Sequence, residues 1–122
     1  VLTEAHELIP AHLRAALLAN GQAAALGRRG HDPAPVVKWF TPDANCTWII
    51  TELDPDDPGI AFGLCDLGMG FPELGTVWVD ELLTVRGPLG LPVERDLGFR
   101  TERPLSQWAD AARAAQRVVT PR

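Results

Sequence analysis

Val36 to Asp54 reads Val-Val-Lys-Trp-Phe, then Thr-Pro-Asp-Ala-Asn, then Cys-Thr-Trp-Ile-Ile-Thr-Glu-Leu-Asp. Two runs of β-branched and aromatic residues flank a segment of turn formers, the pattern of a β-hairpin closed by a four- or five-residue loop. Along the second run Cys46, Trp48, Ile50 and Glu52 alternate with Thr47, Ile49, Thr51 and Leu53. Both faces of that strand are therefore partly apolar, which predicts a central strand. Asp54-Pro-Asp-Asp-Pro-Gly59 then turns the chain, with prolines at early turn positions and a glycine free to take positive φ. A third strand is predicted over Ile60 to Leu67. After a second turn-like stretch, Gly68 to Leu74, a fourth follows over Gly75 to Val79. Three hairpin connections in succession make an antiparallel meander.

Helical signals flank this sheet. Thr3 is placed to cap a first helix with Glu4 and Glu7 in its opening turn, and Pro10 interrupts it. Leu13, Leu17 and Leu18 then form an apolar stripe, with Asn20-Gly21 as a stop signal. Residues 22–35, which include Gly-Arg-Arg-Gly-His-Asp-Pro-Ala-Pro, read as a connector. Asp80 is placed to cap a short helix over Glu81 to Arg86, stopped by Gly87-Pro88. One more strand is predicted over Val93 to Phe99, with Glu94 and Asp96 on one face and Arg95 on the other. Ser106 is placed to cap a last helix that docks through Trp108, Ala112 and Ala115, and residues 119–122 are expected to fray. The fold expected is α+β: one domain over residues 1–122, an antiparallel meander sheet of four to five strands, and N-terminal and C-terminal helices packed on one face.

A chain of 122 residues buries about two-thirds of its unfolded surface. Its 46% apolar and 22% charged residues belong to an ordinary globular protein. No apolar run approaches the ~20 residues of a membrane span, and no signal-peptide pattern opens the sequence, so a cytoplasmic protein without membrane attachment is expected. Cys46 and Cys65 are too few for a disulfide framework and read as free, buried thiols. Between Thr41 and Asp96 eleven acids stand against Arg86 and Arg95, a net of −9 that leaves +4 for the remainder. So negative a sheet region argues against nucleic-acid binding, which needs Lys and Arg for the phosphates. Arg100, Arg103, Arg113 and Arg117 are spread too thinly to reverse this. The negative block suits a basic partner or a metal ion, and a solvated face is the plainer reading.

Familiar catalytic sites are excluded one by one. Gly68 and Gly70 lack the third glycine of a dinucleotide fingerprint, and Met69 stands where a phosphate loop beginning at Gly63 needs lysine. The single serine, Ser106, has no glycine elbow, and His6, His12 and His31 show no zinc spacing with the cysteines. No cofactor motif remains. The carboxylates do: Glu52 follows Trp48 and Ile50 on a partly buried face, where it must be paired or perturbed. Glu52, Glu94 and Asp96 are thus candidate acid–base groups or ligands for Mg²⁺ or Mn²⁺, with Arg95 placed to stabilise an anion. The plainer alternative is a structural ion pair of Glu52 with Arg95, Arg86 or Lys38. Lys38 reads as a snorkelling edge residue, and Trp39, Trp48 and Trp78 read as core.

Several short motifs, in this order, resemble a family of small bacterial proteins catalogued as domain of unknown function 2958. They are Lys38-Trp-Phe-Thr-Pro42, Thr47-Trp48, Glu52-Leu-Asp54, Phe62-Gly-Leu64, Glu73-Leu-Gly75, Asp80-Glu-Leu82 and Gly90-Leu-Pro-Val-Glu-Arg-Asp96. The resemblance runs from about Leu2 to Phe99, with Ile49 and Trp78 as departures. It implies proteins carried on plasmids and other mobile elements near antirestriction and DNA-handling genes, and it implies no reaction. Thr41, Trp48, Glu52, Glu94, Arg95 and Asp96 are its chemically suited motif positions. Two functions follow as expectations: an accessory protein that binds another protein through its acidic sheet edge or loops, or a small carboxylate-based, metal-dependent hydrolase or nuclease. The first requires a surface; the second requires Glu52, Glu94 and Asp96 to converge.

Overall fold

A computed structural model describes the backbone of residues 5–122 and the side chains from residue 7 on. The expected cap at Thr3 lies outside the described residues. The hairpin forms as its sequence demands, with β1 (Val37–Phe40) antiparallel to β2 (Thr47–Leu53) and Trp39 opposite Trp48. β3 (Ile60–Asp66) pairs with β2 and β4 (Glu73–Trp78) with β3. The acidic turn between β2 and β3 is held by its own aspartates. Asp54 Oδ1 accepts the amides of Asp56 and Asp57, and Asp57 Oδ1 accepts that of Gly59.

The fifth strand departs from the meander. β5 is only Glu94–Arg95, shorter than the predicted Val93–Phe99 run, and it pairs with β1, so the strand order is β4-β3-β2-β1-β5. A side chain from the first hairpin guides this return. Asp43 Oδ2 accepts the amides of Leu89 (2.6 Å) and Leu91 (3.4 Å) in the crossing loop. Gly87 admits that carboxylate, because a Cβ there would lie 1.9 Å from Asp43 Oδ1. Lys38 is consequently no edge residue; β1 is flanked on both sides.

Alternation along β2 divides the core in two. Trp48, Ile50 and Leu53 join Leu8, Leu17, Val37, Trp39, Ala61 and Val93 in one cluster, whereas Ile49 joins Leu64, Leu105, Trp108 and Ala112 in another. The N-terminal helices α1 (Ala5–Leu8) and α2 (Ala11–Ala25) therefore cover one face, and the C-terminal helix, α4 (Leu105–Ala115), covers the opposite one. This corrects the expectation that both helices share a face. A strand apolar on both sides needs a cover on each, and every large side chain so buried contributes about 1.5–3 kcal/mol. Trp39 carries its polar atom into the first cluster satisfied, donating from Nε1 to the Leu8 carbonyl at 2.9 Å.

Local signals fared differently at the helix ends. Pro10 separates α1 from α2 and its carbonyl accepts the amides of Leu13 and Arg14. Asn20-Gly21 does not stop α2, which runs on through residues 22–25 of the predicted connector and ends before Gly27 at φ 64°. The pair serves docking instead. Asn20 Nδ2 donates to the Thr51 carbonyl at 2.8 Å, and a Cβ on Gly21 would sit 1.8 Å from the Leu53 carbonyl oxygen. α3 (Val79–Leu82) starts before Asp80, which lies in its first turn rather than at its cap.

α4 begins at Leu105 behind Pro104, so Ser106 is inside the helix. Asp32 from the connector does the capping, accepting from both the Ser106 amide and the Ser106 hydroxyl. The docking face of α4 is Leu105, Trp108, Ala109 and Ala112; Ala115 is exposed. Beyond it the Val118 amide donates to Asp66 Oδ2 at 3.0 Å.

Candidate functional site

Glu52 shows what one extra residue does to a strand. Ile50 pairs with Gly63 and Glu52 with Phe62, so two neighbours on β3 face three residues on β2. Thr51 is the bulge. It is wholly buried, its hydroxyl reaches the Phe62 carbonyl (3.3 Å) and Glu52 Oε1 (3.2 Å), and its carbonyl is taken by Asn20. The bulge turns Glu52 away from the face of Trp48 and Ile50. Its carboxylate, 13% exposed, meets His31 Nε2 at 3.3 Å. The expected ion pair with Arg95, Arg86 or Lys38 is not formed; the contact Glu52 makes is a hydrogen bond with the His31 ring. His31 was missed because the connector's path is not written in local pattern.

The other motif positions scatter. Thr41 is buried, accepts the Cys46 amide at its hydroxyl and closes the β1–β2 loop. Trp48 is core. Glu94, the first residue of β5, and Asp96, just after it, lie on the α4 side, as alternation predicts, and Asp96 pairs with Lys38 at 3.7 Å. Arg95 points the other way, donating from Nε to the Glu7 carbonyl at 3.0 Å. Counting the register and bulge, Glu94 and Asp96 lie on the order of 12–18 Å from Glu52, two strands away. Among the described residues no three His, Cys, Asp or Glu side chains are grouped to hold a metal ion. The carboxylates do not converge, and the hydrolase expectation loses the geometry it required.

The surface that does stand out was read as turn and core. β4 ends the strand order, so one side of it pairs with nothing among the described residues. Its register tells which groups point outward. The Val79 amide donates to Gly59 on the β3 side, so residues 73, 75, 77 and 79 turn their backbone inward and Leu74, Thr76 and Trp78 turn theirs out. All three are exposed, Trp78 by 49%, against its reading as core. Around the adjoining turn, Leu67, Met69 and Phe71 are exposed by 53%, 70% and 78%. They alternate with Gly68 and Gly70, both at positive φ, which bend the backbone tightly and throw the large side chains outward.

A hollow of about 350 Å³ lies under this turn, lined by Cys65, Leu67, Met69, Phe71 and Glu73. Burial pushes the Cys65 thiol from its ordinary 9.0 up to about 11, which keeps it protonated and unreactive near neutrality. Both cysteines are free, as expected. A second hollow, of about 380 Å³, has Glu52, Asp54, Phe62 and Thr76 in its wall beside the end of α2. The sequence held a signal for the first surface. Large apolar residues interleaved with glycines in a turn are that signal; that the next strand is left open shows only in the strand order.

No helix among the described residues is long and apolar enough to cross a membrane. Comparison with curated proteins and with solved structures returns no match. A family model matches residues 8–119, carrying the likeness past Phe99 and through α4. The chain belongs to the family described as protein of unknown function (DUF2958).

Proposed function

We propose that this chain is an accessory protein of plasmids and other mobile elements that acts by binding another protein, and that the β4 edge with its apolar turn is the binding surface. One observation carries the reading: among the described residues the outward backbone groups of Leu74 and Thr76 and the outward amide of Trp78 have no strand partner, and they lie beside the exposed Leu67, Met69 and Phe71. Unpaired edges invite strand addition, and proteins usually blunt them with lysine, proline or a cover. β4 contains no lysine or proline. The motif carboxylates give less support, since Glu52 and Asp96 already hold partners inside the fold.

The test is capture from cells carrying the native element, comparing the unaltered chain with Thr76→Pro and with a Glu52→Gln/Glu94→Gln double variant. The Thr76 amide points outward, so proline there removes an edge donor without touching the β3 ladder. Loss of a specific partner with Thr76→Pro and its retention by the double variant is the expected result. The opposite pattern moves the surface to the carboxylates.

A further inference from the structure

The occupant of the β4 edge can be specified further, on the reading just given. We infer that it is an extended segment of a partner protein that is apolar at alternate positions, carries one large apolar side chain for the open space over Gly75 and the hollow at Glu73, and is flanked by Lys or Arg.

The edge sets the backbone. Leu74 and Thr76 offer a donor and an acceptor each and Trp78 a donor, its carbonyl being taken by the first turn of α3, and an incoming strand matches these groups on alternate residues. On the α4 side that strand lies against the exposed side chains of Leu74 and Trp78. The opposite side has a gap. Gly75 has no atom within 4 Å of where a Cβ would stand, and the hollow lined by Cys65, Leu67, Met69 and Phe71 opens on the same side, next to Glu73. A glycine inside a strand marks close approach or a missing neighbour, and an aromatic side chain from an adjacent strand is the usual filler.

Charge decides between a second copy and a different protein. From Trp39 to Val85 there are nine acids and no Lys or Arg, and Glu73, Asp80 and Glu81 bracket β4. A two-fold pairing of two copies centred on Thr76 places Leu74 opposite Trp78, whose carbonyl is already taken by α3. It also brings Asp80 and Glu81 of one copy alongside Glu73 of the other. Like charges so placed disfavour that pairing, whereas basic flanks turn the same acids into attraction.

The probe is a ten-residue synthetic peptide of alternating lysine and valine with one central phenylalanine, set against the same peptide with glutamate for lysine. Amide exchange and chemical shifts of the folded chain are followed by NMR at low and high salt. The lysine peptide is expected to protect the amides of Leu74, Thr76 and Trp78, to shift Cys65 and Met69, and to bind at least about tenfold more tightly than the glutamate peptide at low salt, less so at high salt. Glu73→Lys should narrow that ratio, and Thr76→Pro, checked for native spectra elsewhere, should abolish protection. Equal binding of both peptides at the edge overturns the basic occupant while leaving the edge as the binding surface. Protection of the three amides by neither peptide overturns the inference, as does concentration-dependent protection in the chain alone, which assigns the edge to a second copy. Retention of the cellular partner by Thr76→Pro instead overturns the binding surface itself.

Discussion

At one margin of the sheet β5 contributes two residues, α1 lies against it, Arg95 ties it to the Glu7 carbonyl, and Lys38 reaches across to Asp96. At the other margin β4 runs for six residues with no strand beside its outer side among the described residues and with large apolar side chains in water. Both margins end the same sheet, so the same requirement to blunt an edge applies to each. Only one meets it. A chain that charges a two-residue edge yet leaves a six-residue edge open has placed its free edge groups on one side, and that asymmetry is the support for proposing the β4 edge as a binding surface.

The sharpest way to break this comparison sets inside against outside on one register row, where Gly63 faces Gly75. Alanine at Gly63 would place its Cβ 2.0 Å from the Ile49 carbonyl oxygen, so Gly63→Ala should cost at least about 3 kcal/mol or prevent folding. Gly75→Ala meets nothing within 4 Å and should be neutral or stabilise by up to about 1 kcal/mol. Urea midpoints for the two variants decide the matter, and equal losses would mean that β4 is not the open side. A proline pair tests the same contrast. Ile49→Pro, in the central strand, should cost about 3 kcal/mol or more, and Thr76→Pro about 1 kcal/mol or less.

A smaller effect comes from the thiol under the open edge. Cys65 stays protonated in the folded chain up to about 11 while the unfolded chain ionises at about 9.0. Above pH 9 the unfolded state binds fewer protons, so stability should fall as pH rises from 9 to 11 and be insensitive to this group below 8. Cys65→Ala should flatten that slope in urea titrations. The smallest change is expected at the closed edge: Lys38 and Asp96 are about a third exposed, and Lys38→Ala should shift stability by no more than about 0.5 kcal/mol. A large loss there would show that the closed edge depends on its ion pair rather than on the cover from α1.

Much of this architecture was legible in the chain, because strands and turns are set by neighbours in sequence. The β1–β2 hairpin, the aspartate-rich turn, the β3 and β4 runs and the break at Pro10 all follow from local chemistry. What failed was long-range. Asn20-Gly21 reads as a helix stop until the Leu53 carbonyl arrives against Gly21. Ser106 reads as a cap until Asp32 takes that role from 74 residues away. Glu52 reads as sharing a face with Trp48 until Thr51 inserts the bulge, and a two-residue β5 has too little pattern to announce a partner. The candidate site suffered most. Exposed Trp78 looks like core in any composition, and only the strand order reveals that nothing follows to cover it.

The cover of the sheet's second face has a consequence for how the protein is made. Ile49 and Leu64 are made well before the Leu105, Trp108 and Ala112 side chains that cover them. The first face can close as soon as the sheet meets α1 and α2, both made earlier. The second stays wet until residues 105–115 emerge, and the carboxylates of Asp32 and Asp66 wait, already placed, to receive the two ends of that segment. A chain cut short before Leu105 would therefore hold a sheet closed on one side and adhesive on the other.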